Sequence, residues 1–182
     1  MRTMSHTTYE SPIGPLTLIA GPDGLRGLHF PGRGPAKSEE ARNAEDPTLA
    51  AATEQLDAYF AGELRQFELP LDLVGTAFQR RVWSALRQIP YGSTTSYGVL
   101  ARELADGRSS GLRDARAVGA AVGRTPVPII VPCHRVIGAD GSLTGYGGGL
   151  QRKQALLDLE AAVRGGAAAA PRWAGRQLSL LA

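Results

Sequence analysis

The chain is poor in the residues that fasten small proteins together. Among 182 residues there is one cysteine, Cys133, and there are three histidines. A single thiol excludes an intrachain disulfide and any cysteine-rich zinc site, and it suits a reducing compartment. No run approaches the roughly 20 apolar residues that cross a bilayer. Met1 to Ser11 carries no apolar stretch of the signal-peptide kind. Together these absences predict a soluble, cytoplasmic protein with no membrane partner. What is present is ordinary: 43% hydrophobic and 20% charged residues, on a length that fits one or two domains with a real core.

Net charge is small, +3, but it is unevenly spread. Residues 1–75 hold 6 Lys+Arg against 11 Asp+Glu, residues 76–164 hold 12 against 6, and residues 165–182 add two arginines. Eleven of the twelve basic residues in the middle block are arginine, the side chain better fitted to phosphates and base edges. A GC-rich genome would explain the preference for arginine but not the separation by sign. One half of the chain is therefore expected to meet a polyanion.

Taken in order, residues 8–30 read as short strands joined by turns. Leu16–Ala20 and Leu25–Phe30 flank Gly21-Pro22-Asp23-Gly24, a hairpin signal. Residues 31–47 are rich in Gly, Pro and charge and read as a loop. Thr48 is the expected cap of a helix running to Phe60 and ended by Gly62, and Phe67–Val74 alternates as a further strand. Thr76 then caps a helix over Phe78–Ile89, with Phe78, Val82, Leu86 and Ile89 in one apolar stripe and Trp83 extending it. Pro90-Tyr91-Gly92 stops that helix, and Ser93 to Ser96 offer caps for the next, Tyr97–Ala105. A loop, Asp106–Gly111, leads to a third helix over Leu112–Val122. Two short helices across a turn, with Arg113, Arg116 and Arg124 around the second, outline a helix-turn-helix. That second helix is nearly all small residues around Arg116, which suits either the narrow minor groove or tight packing inside the domain.

The apolar run Val127–Val131 reads as an extended, buried approach to Pro132-Cys133-His134-Arg135-Val136. A thiol beside an imidazole is a candidate nucleophile, because the thiolate attacks and needs a base to form. The plainer alternative is a buried structural cysteine. Neighbouring side chains of an extended chain point to opposite faces, so a water between Cys133 and His134 is the expected relay. Tyr146-Gly147-Gly148-Gly149 then offers bare backbone beside an aromatic ring, a plausible pocket wall. A final helix, Leu150–Val163, carries Glu160. Residues 165–182 read as a flexible tail.

The run Pro132-Cys133-His134-Arg135-Val136 resembles the acceptor motif of the O6-alkylguanine-DNA alkyltransferases. Phe78-Gln79 with Val82-Trp83, Ile89-Pro90-Tyr91-Gly92, Ser96-Tyr97, Ala115-Arg116-Ala117-Val118-Gly119, Tyr146-Gly147-Gly148-Gly149 and Glu160 follow the family's order, over about residues 8–162. The resemblance implies an α+β protein. A small ribonuclease-H-like domain (1–75) would precede a helical, winged-helix-like DNA-binding domain with a helix-turn-helix (76–164). It implies direct, irreversible, single-turnover transfer of an alkyl group from O6-alkylguanine in double-stranded DNA to Cys133 after base flipping, with O4-alkylthymine as a second substrate. His134 would be the base, Glu160 its support, and Tyr97 the proton donor to the departing guanine. Tyr97, Gly98, Arg116, Ala117 and Ala139 would meet DNA, with Arg116 filling the gap left by the flipped base. Val122, Val136, Tyr146, Gly147 and Gly148 would line the guanine pocket. No metal or cofactor is implied, and a monomer is expected. Thr125 stands where the family pattern has asparagine, and the Asp106–Gly111 loop is longer than the pattern. Two rivals are a cysteine hydrolase, which would turn over, and a non-catalytic helix-turn-helix protein that only binds lesions.

Overall fold

A computed structural model describes residues 4–34, 41–42, 45–105 and 112–166. The Asp106–Gly111 loop and residues 167–182 of the expected tail lie outside the described residues. The chain opens with three antiparallel strands, β1 (Ser5–Ser11), β2 (Gly14–Gly21) and β3 (Gly24–His29). Ser11 faces Gly14 across the first turn and Gly21 faces Gly24 across the second. Gly14 and Gly24 take φ of +106° and +149°, values that favour glycine. A two-residue strand, β4 (Ala41–Arg42), adds in parallel to β1 and completes the order β3-β2-β1-β4. It falls in the segment read as loop, because two residues show no periodicity.

Helix α1 (Pro47–Phe60) covers this sheet with Leu49, Ala52, Leu56, Tyr59 and Phe60. Its cap is Asp46, whose carboxylate accepts from the backbone N–H of Thr48 and Leu49. Thr48 is thus inside the helix, and the proline at its first position fits that boundary. Gly62, at φ +78°, ends the element as expected. Phe67–Val74 is not a strand. Only Leu71 bridges to Leu25, while Leu69 is buried. The alternation there reflects side chains lying over the sheet edge rather than ladder pairing.

The second half is helical. Helix α2 (Ala77–Leu86) starts with a full capping box between Thr76 and Gln79, the reciprocal pairing that Thr-x-x-Gln permits. It buries Val82, Trp83 and Leu86. The Trp83 indole donates to the carbonyl of Ala121 at 2.9 Å. Phe78 departs from the expected stripe and is 42% exposed. Helix α3 (Tyr97–Leu104) is capped by Ser96, and α4 (Leu112–Gly123) packs against both α2 and α3. On α4, Val118, Ala121 and Val122 are buried, whereas Arg116, Ala117 and Ala120 are exposed. The small residues therefore serve packing on one face and leave the other open.

Two buried clusters result, and the segment before the thiol straddles them. Val127, Ile129 and Ile130 pack into the core of the sheet and α1. Val131, Cys133 and Val136 pack into that of α2, α3 and α4. The final helix, α5 (Leu150–Arg164), joins the first cluster through Ala155, Leu156, Leu159 and Val163. The approach is a turn rather than an extended run. The Val131 N–H donates to Val127 O, and Ile129 sits at φ +76°. That conformation costs a β-branched residue roughly 1–3 kcal/mol. Cys133–Arg135 forms one 3-10 turn, which leads into β6 (Val136–Ile137), paired in parallel with β5 (Thr95–Ser96). The extended reading of Cys133-His134 is corrected by that turn, whose two backbone bonds, Arg135 N–H to Pro132 O and Val136 N–H to Cys133 O, leave no periodic trace in sequence.

Candidate active site

The Cys133 side chain is 6% exposed and faces a cavity of about 210 Å³. Val122, Thr125, Pro128, Tyr146 and Gly147 line that cavity from the second half. Leu28, His29, Phe30 and Arg33 line it from the end of β3. The acidic first segment therefore contributes a wall, which its sequence did not signal. Phe30 meets Tyr146 edge-on at 5.6 Å between ring centroids. Arg152 lies over Phe30 and donates to the carbonyls of Ile13 and Gly148. This arginine ties the β1–β2 turn to the glycine-rich loop.

Burial pushes the Cys133 thiol up to about 11, against the opposing pull of the Thr125 hydroxyl, the Lys153 ammonium and the backbone N–H groups of Cys133 and Ile129. The left-handed turn at Ile129 thus brings a donor to the sulfur. Lys153 was not expected at the site. It is fully buried and donates to the carbonyls of Val136 and Thr144. Its signal was available, because on α5 it lies three, six and seven positions before Leu156, Leu159 and Glu160, on the buried face.

His134 is fully buried, and its Nε2 lies 2.8 Å from Glu160 Oε1. Burial holds the imidazole below its usual pKa, only partly offset by Glu160. Burial alone would raise the Glu160 carboxyl, but the hydrogen bonds and charges of His134 and Arg135 outweigh it and hold the carboxyl well below the usual range. Arg135 grips both oxygens, Nε to Oε2 and Nη2 to Oε1, each at 2.8 Å. The Gly92 N–H adds a bond at 3.1 Å and the Tyr59 hydroxyl one at 2.8 Å. An ionised carboxylate accepts only, so the proton of the neutral imidazole belongs on Nε2. Nδ1 is then a bare lone pair, and it is buried with no hydrogen-bond partner.

The other expected residues divide. Tyr97, half-buried at the start of α3, donates to Thr144 O at 3.2 Å and lines the outer recess with Arg33, Tyr146 and Gly147. Gly98 follows it, half-buried, while Arg116, Ala117 and Ala139 are exposed. Val136 does not line the cavity: its side chain is fully buried and its carbonyl is taken by Lys153. Gly148 also lies behind the wall, where an added Cβ would come within 2.8 Å of the Phe30 ring. The Thr125 hydroxyl donates to Val122 O at 2.7 Å, closing the end of α4 beside the thiol. Among the described residues no cluster of His, Cys, Asp or Glu fits a metal ion, and no helix is long and apolar enough to cross a membrane.

Comparison with known proteins finds relatives for both halves of the chain. Residues 4–73 match the family described as 6-O-methylguanine DNA methyltransferase, ribonuclease-like domain. Residues 77–162 match 6-O-methylguanine DNA methyltransferase, DNA binding domain. The methylated-DNA–protein-cysteine methyltransferase of Mycobacterium leprae is 52% identical over 153 residues, covering 84% of this chain and 90% of that one. The enzyme of the same name from Methanosarcina acetivorans is 45% identical over 158 residues, 86% of this chain and 98% of that one. The crystal structure of Mycobacterium tuberculosis OGT in complex with DNA superposes with a TM-score of 0.79 at 47% identity, covering 93% of this chain and 96% of that one.

Proposed function

The chain belongs to the 6-O-methylguanine DNA methyltransferase family, and from that premise we propose that it repairs DNA by moving the alkyl group of O6-alkylguanine onto Cys133. One observation carries the assignment of the acceptor. The only cysteine of the chain lines a cavity that opens to solvent, next in sequence to an imidazole whose Nε2 is held by an ionised carboxylate and whose Nδ1 keeps its lone pair.

The geometry supports the following chemistry. A thiol that burial holds at about 11 is neutral near pH 7, so attack needs proton removal. His134 Nδ1 accepts that proton, through a water, and Glu160 stabilises the resulting imidazolium. The sulfur attacks the saturated carbon on O6, the carbon–oxygen bond breaks with its electron pair going to guanine, and a thioether forms. Tyr97 supplies a proton to the departing base, which leaves neutral. Burial raises the Tyr97 hydroxyl, so it holds its proton until that step. Thioethers are inert, so each molecule acts once. Tyr146 and Gly147, which line the cavity beside Cys133, contact the guanine.

A base inside a duplex cannot reach this cavity, so the lesion is flipped out. The exposed face of α4, with Arg116 and Ala117, lies against the DNA, together with Gly98 and Ala139. Arg116 enters the space the base leaves. Affinity is nearly sequence-independent and falls with salt. Residues 76–164 carry the chemistry and residues 1–75 the support. The protein works as a cytoplasmic monomer; a single cysteine, which permits no intrachain disulfide, supports the reducing compartment. Transfer from O4-alkylthymine requires only that the same cavity admit a pyrimidine.

The test is stoichiometry with the Cys133→Ala variant beside it. Wild type takes up one alkyl group per molecule and stops, and the variant binds lesion DNA but takes up none. Multiple turnovers would establish the hydrolase, and undiminished transfer by the variant would remove Cys133 as acceptor.

A further inference from the structure

Glu160 accepts five hydrogen bonds, and one of them comes from the N-terminal segment. Oε1 receives His134 Nε2, Arg135 Nη2 and the Tyr59 hydroxyl, each at 2.8 Å. Oε2 receives Arg135 Nε and the Gly92 N–H. Tyr59 lies on α1, 101 positions from Glu160, and is fully buried. Its ring packs tilted on Phe67 at 5.3 Å and edge-on to Tyr91 at 6.2 Å, while Arg135 lies over the other contact of that cluster, the Tyr91 ring, at 5.5 Å. The first segment therefore reaches the catalytic carboxylate with a single rigid side chain. The bond cannot run the other way, because an ionised carboxylate has no proton to give.

We propose that Tyr59 is a positioning residue of the transfer reaction, through which the N-terminal segment sets both the placement and the basicity of the Glu160–His134 pair. The inference rests on the reading that His134 is the base. Two consequences follow from sharing one oxygen among three donors. The tyrosine fixes where Oε1 sits, and so which way the imidazole turns its free Nδ1. It also draws electron density from Oε1, which weakens the pull of Glu160 on an imidazolium. Without the hydroxyl the carboxylate leans harder on His134, and the imidazole becomes easier to protonate. The other charged or titratable groups facing the pair are Arg135, Lys153 on α5, Tyr91 and Tyr146. Burial raises the Tyr59 hydroxyl well above its usual range, with the Glu160 charge adding to it, so it remains a donor throughout the working range.

The experiment is the single-turnover rate of transfer from free O6-benzylguanine as a function of pH, with the full chain. Free base is used so that DNA affinity does not enter. Wild type is expected to lose rate below the His134 midpoint and to be flat above it, and His134→Gln to show no break there, its rate rising steadily with pH through that region. A wild type without the break would refute the base assignment and not the tyrosine. Tyr59→Phe keeps the ring packing. It is expected to move the midpoint upward by about half a unit to one unit, within the range a lost charge-assisted hydrogen bond supports. The plateau should fall roughly tenfold through poorer orientation. Tyr9→Phe is the control, since it removes a comparable hydroxyl–carboxylate bond, Tyr9 to Asp57 at 2.7 Å, from the same segment. It should lower the melting temperature and leave the midpoint alone. 3-Fluorotyrosine installed at position 59 is a stronger donor of nearly the same shape and should move the midpoint downward. That variant keeps the test decisive if Tyr59→Phe folds poorly. A midpoint that Tyr59→Phe and the fluorinated residue leave in place, or that Tyr9→Phe shifts equally, would overturn the proposal and make Tyr59 a packing residue only.

Discussion

Replacing His134 by glutamine turns the pH dependence of alkyl transfer into a direct reading of the thiol. Burial pushes Cys133 up to about 11. At pH 7.5 the equilibrium fraction of thiolate is then roughly 3 in 10,000. If that fraction reacted unaided, the rate would climb tenfold with each pH unit up to about 11. Burial also holds His134 below its usual value, so the imidazole is already a free base at pH 7.5 and the thiol loses its proton only during attack. Wild type should therefore show a flat rate between about pH 7 and 9. Glutamine retains a donor for Glu160 but has no basic nitrogen. Its rate at pH 7.5 should drop by at most about 3,000-fold, the reciprocal of the thiolate fraction, which falls within the range of about 10²–10⁴ for loss of a general base. The variant should then recover tenfold per unit as pH rises. The assay is single-turnover transfer from O6-benzylguanine, followed by intact mass across the pH range. A wild-type rate that rises tenfold per unit, or a variant that stays flat, would refute the account of thiol and imidazole.

Three further outcomes test other parts of the structure. The unfolded thiol ionises before the folded one as pH rises, so Cys133 adds stability at neutral pH that is lost between about pH 9 and 11. The folded value near 11 against an ordinary 9 makes this about 2–3 kcal/mol. The melting temperature of Cys133→Ala should therefore fall less than that of wild type over this window, and parallel curves would contradict the burial argument. In Gly148→Ala the new methyl would press on the Phe30 and Tyr146 rings, 2.8 and 2.9 Å away. It should cost about 1–3 kcal/mol in thermal denaturation and slow benzyl transfer more than methyl transfer; equal slowing would mean that the rings yield without narrowing the cavity. Arg116→Ala should leave transfer from free O6-benzylguanine intact and slow repair of duplex DNA, whereas an equal fall in both would make Arg116 structural.

Elements with a local chemical signal were legible. Thr76-x-x-Gln79 specifies a capping box within four residues, and Gly14, Gly24, Gly62 and Gly92 mark turns that take positive φ. The unique thiol, its neighbouring imidazole and the tyrosine–glycine wall were legible because their residue types are rare and adjacent. What escaped depends on partners distant in sequence. Phe78 fits the apolar stripe of α2 by spacing, yet α3 and α4 cover only part of that stripe and the ring stays 42% exposed. Phe67–Val74 alternates like a strand but pairs only at one position, Leu71 with Leu25. The wall formed by Phe30 and Arg33, and the bond from Tyr59 to Glu160, require the two halves of the chain to meet. Even so, a tyrosine on the buried face of α1 has a hydroxyl that needs a partner, and a lysine on the buried face of α5 needs acceptors. Those two polar intrusions were the available signs.

The central claim is that Cys133 becomes a thioether at the expense of a damaged guanine. Peptide mapping by mass after incubation with duplex DNA carrying O6-methylguanine tests it most directly. One methyl group on the Cys133 peptide, in stoichiometric amount and with guanine restored in the DNA, is the expected result. An unmodified Cys133 in protein that still binds the lesion would contradict the claim and identify a protein that only recognises damage.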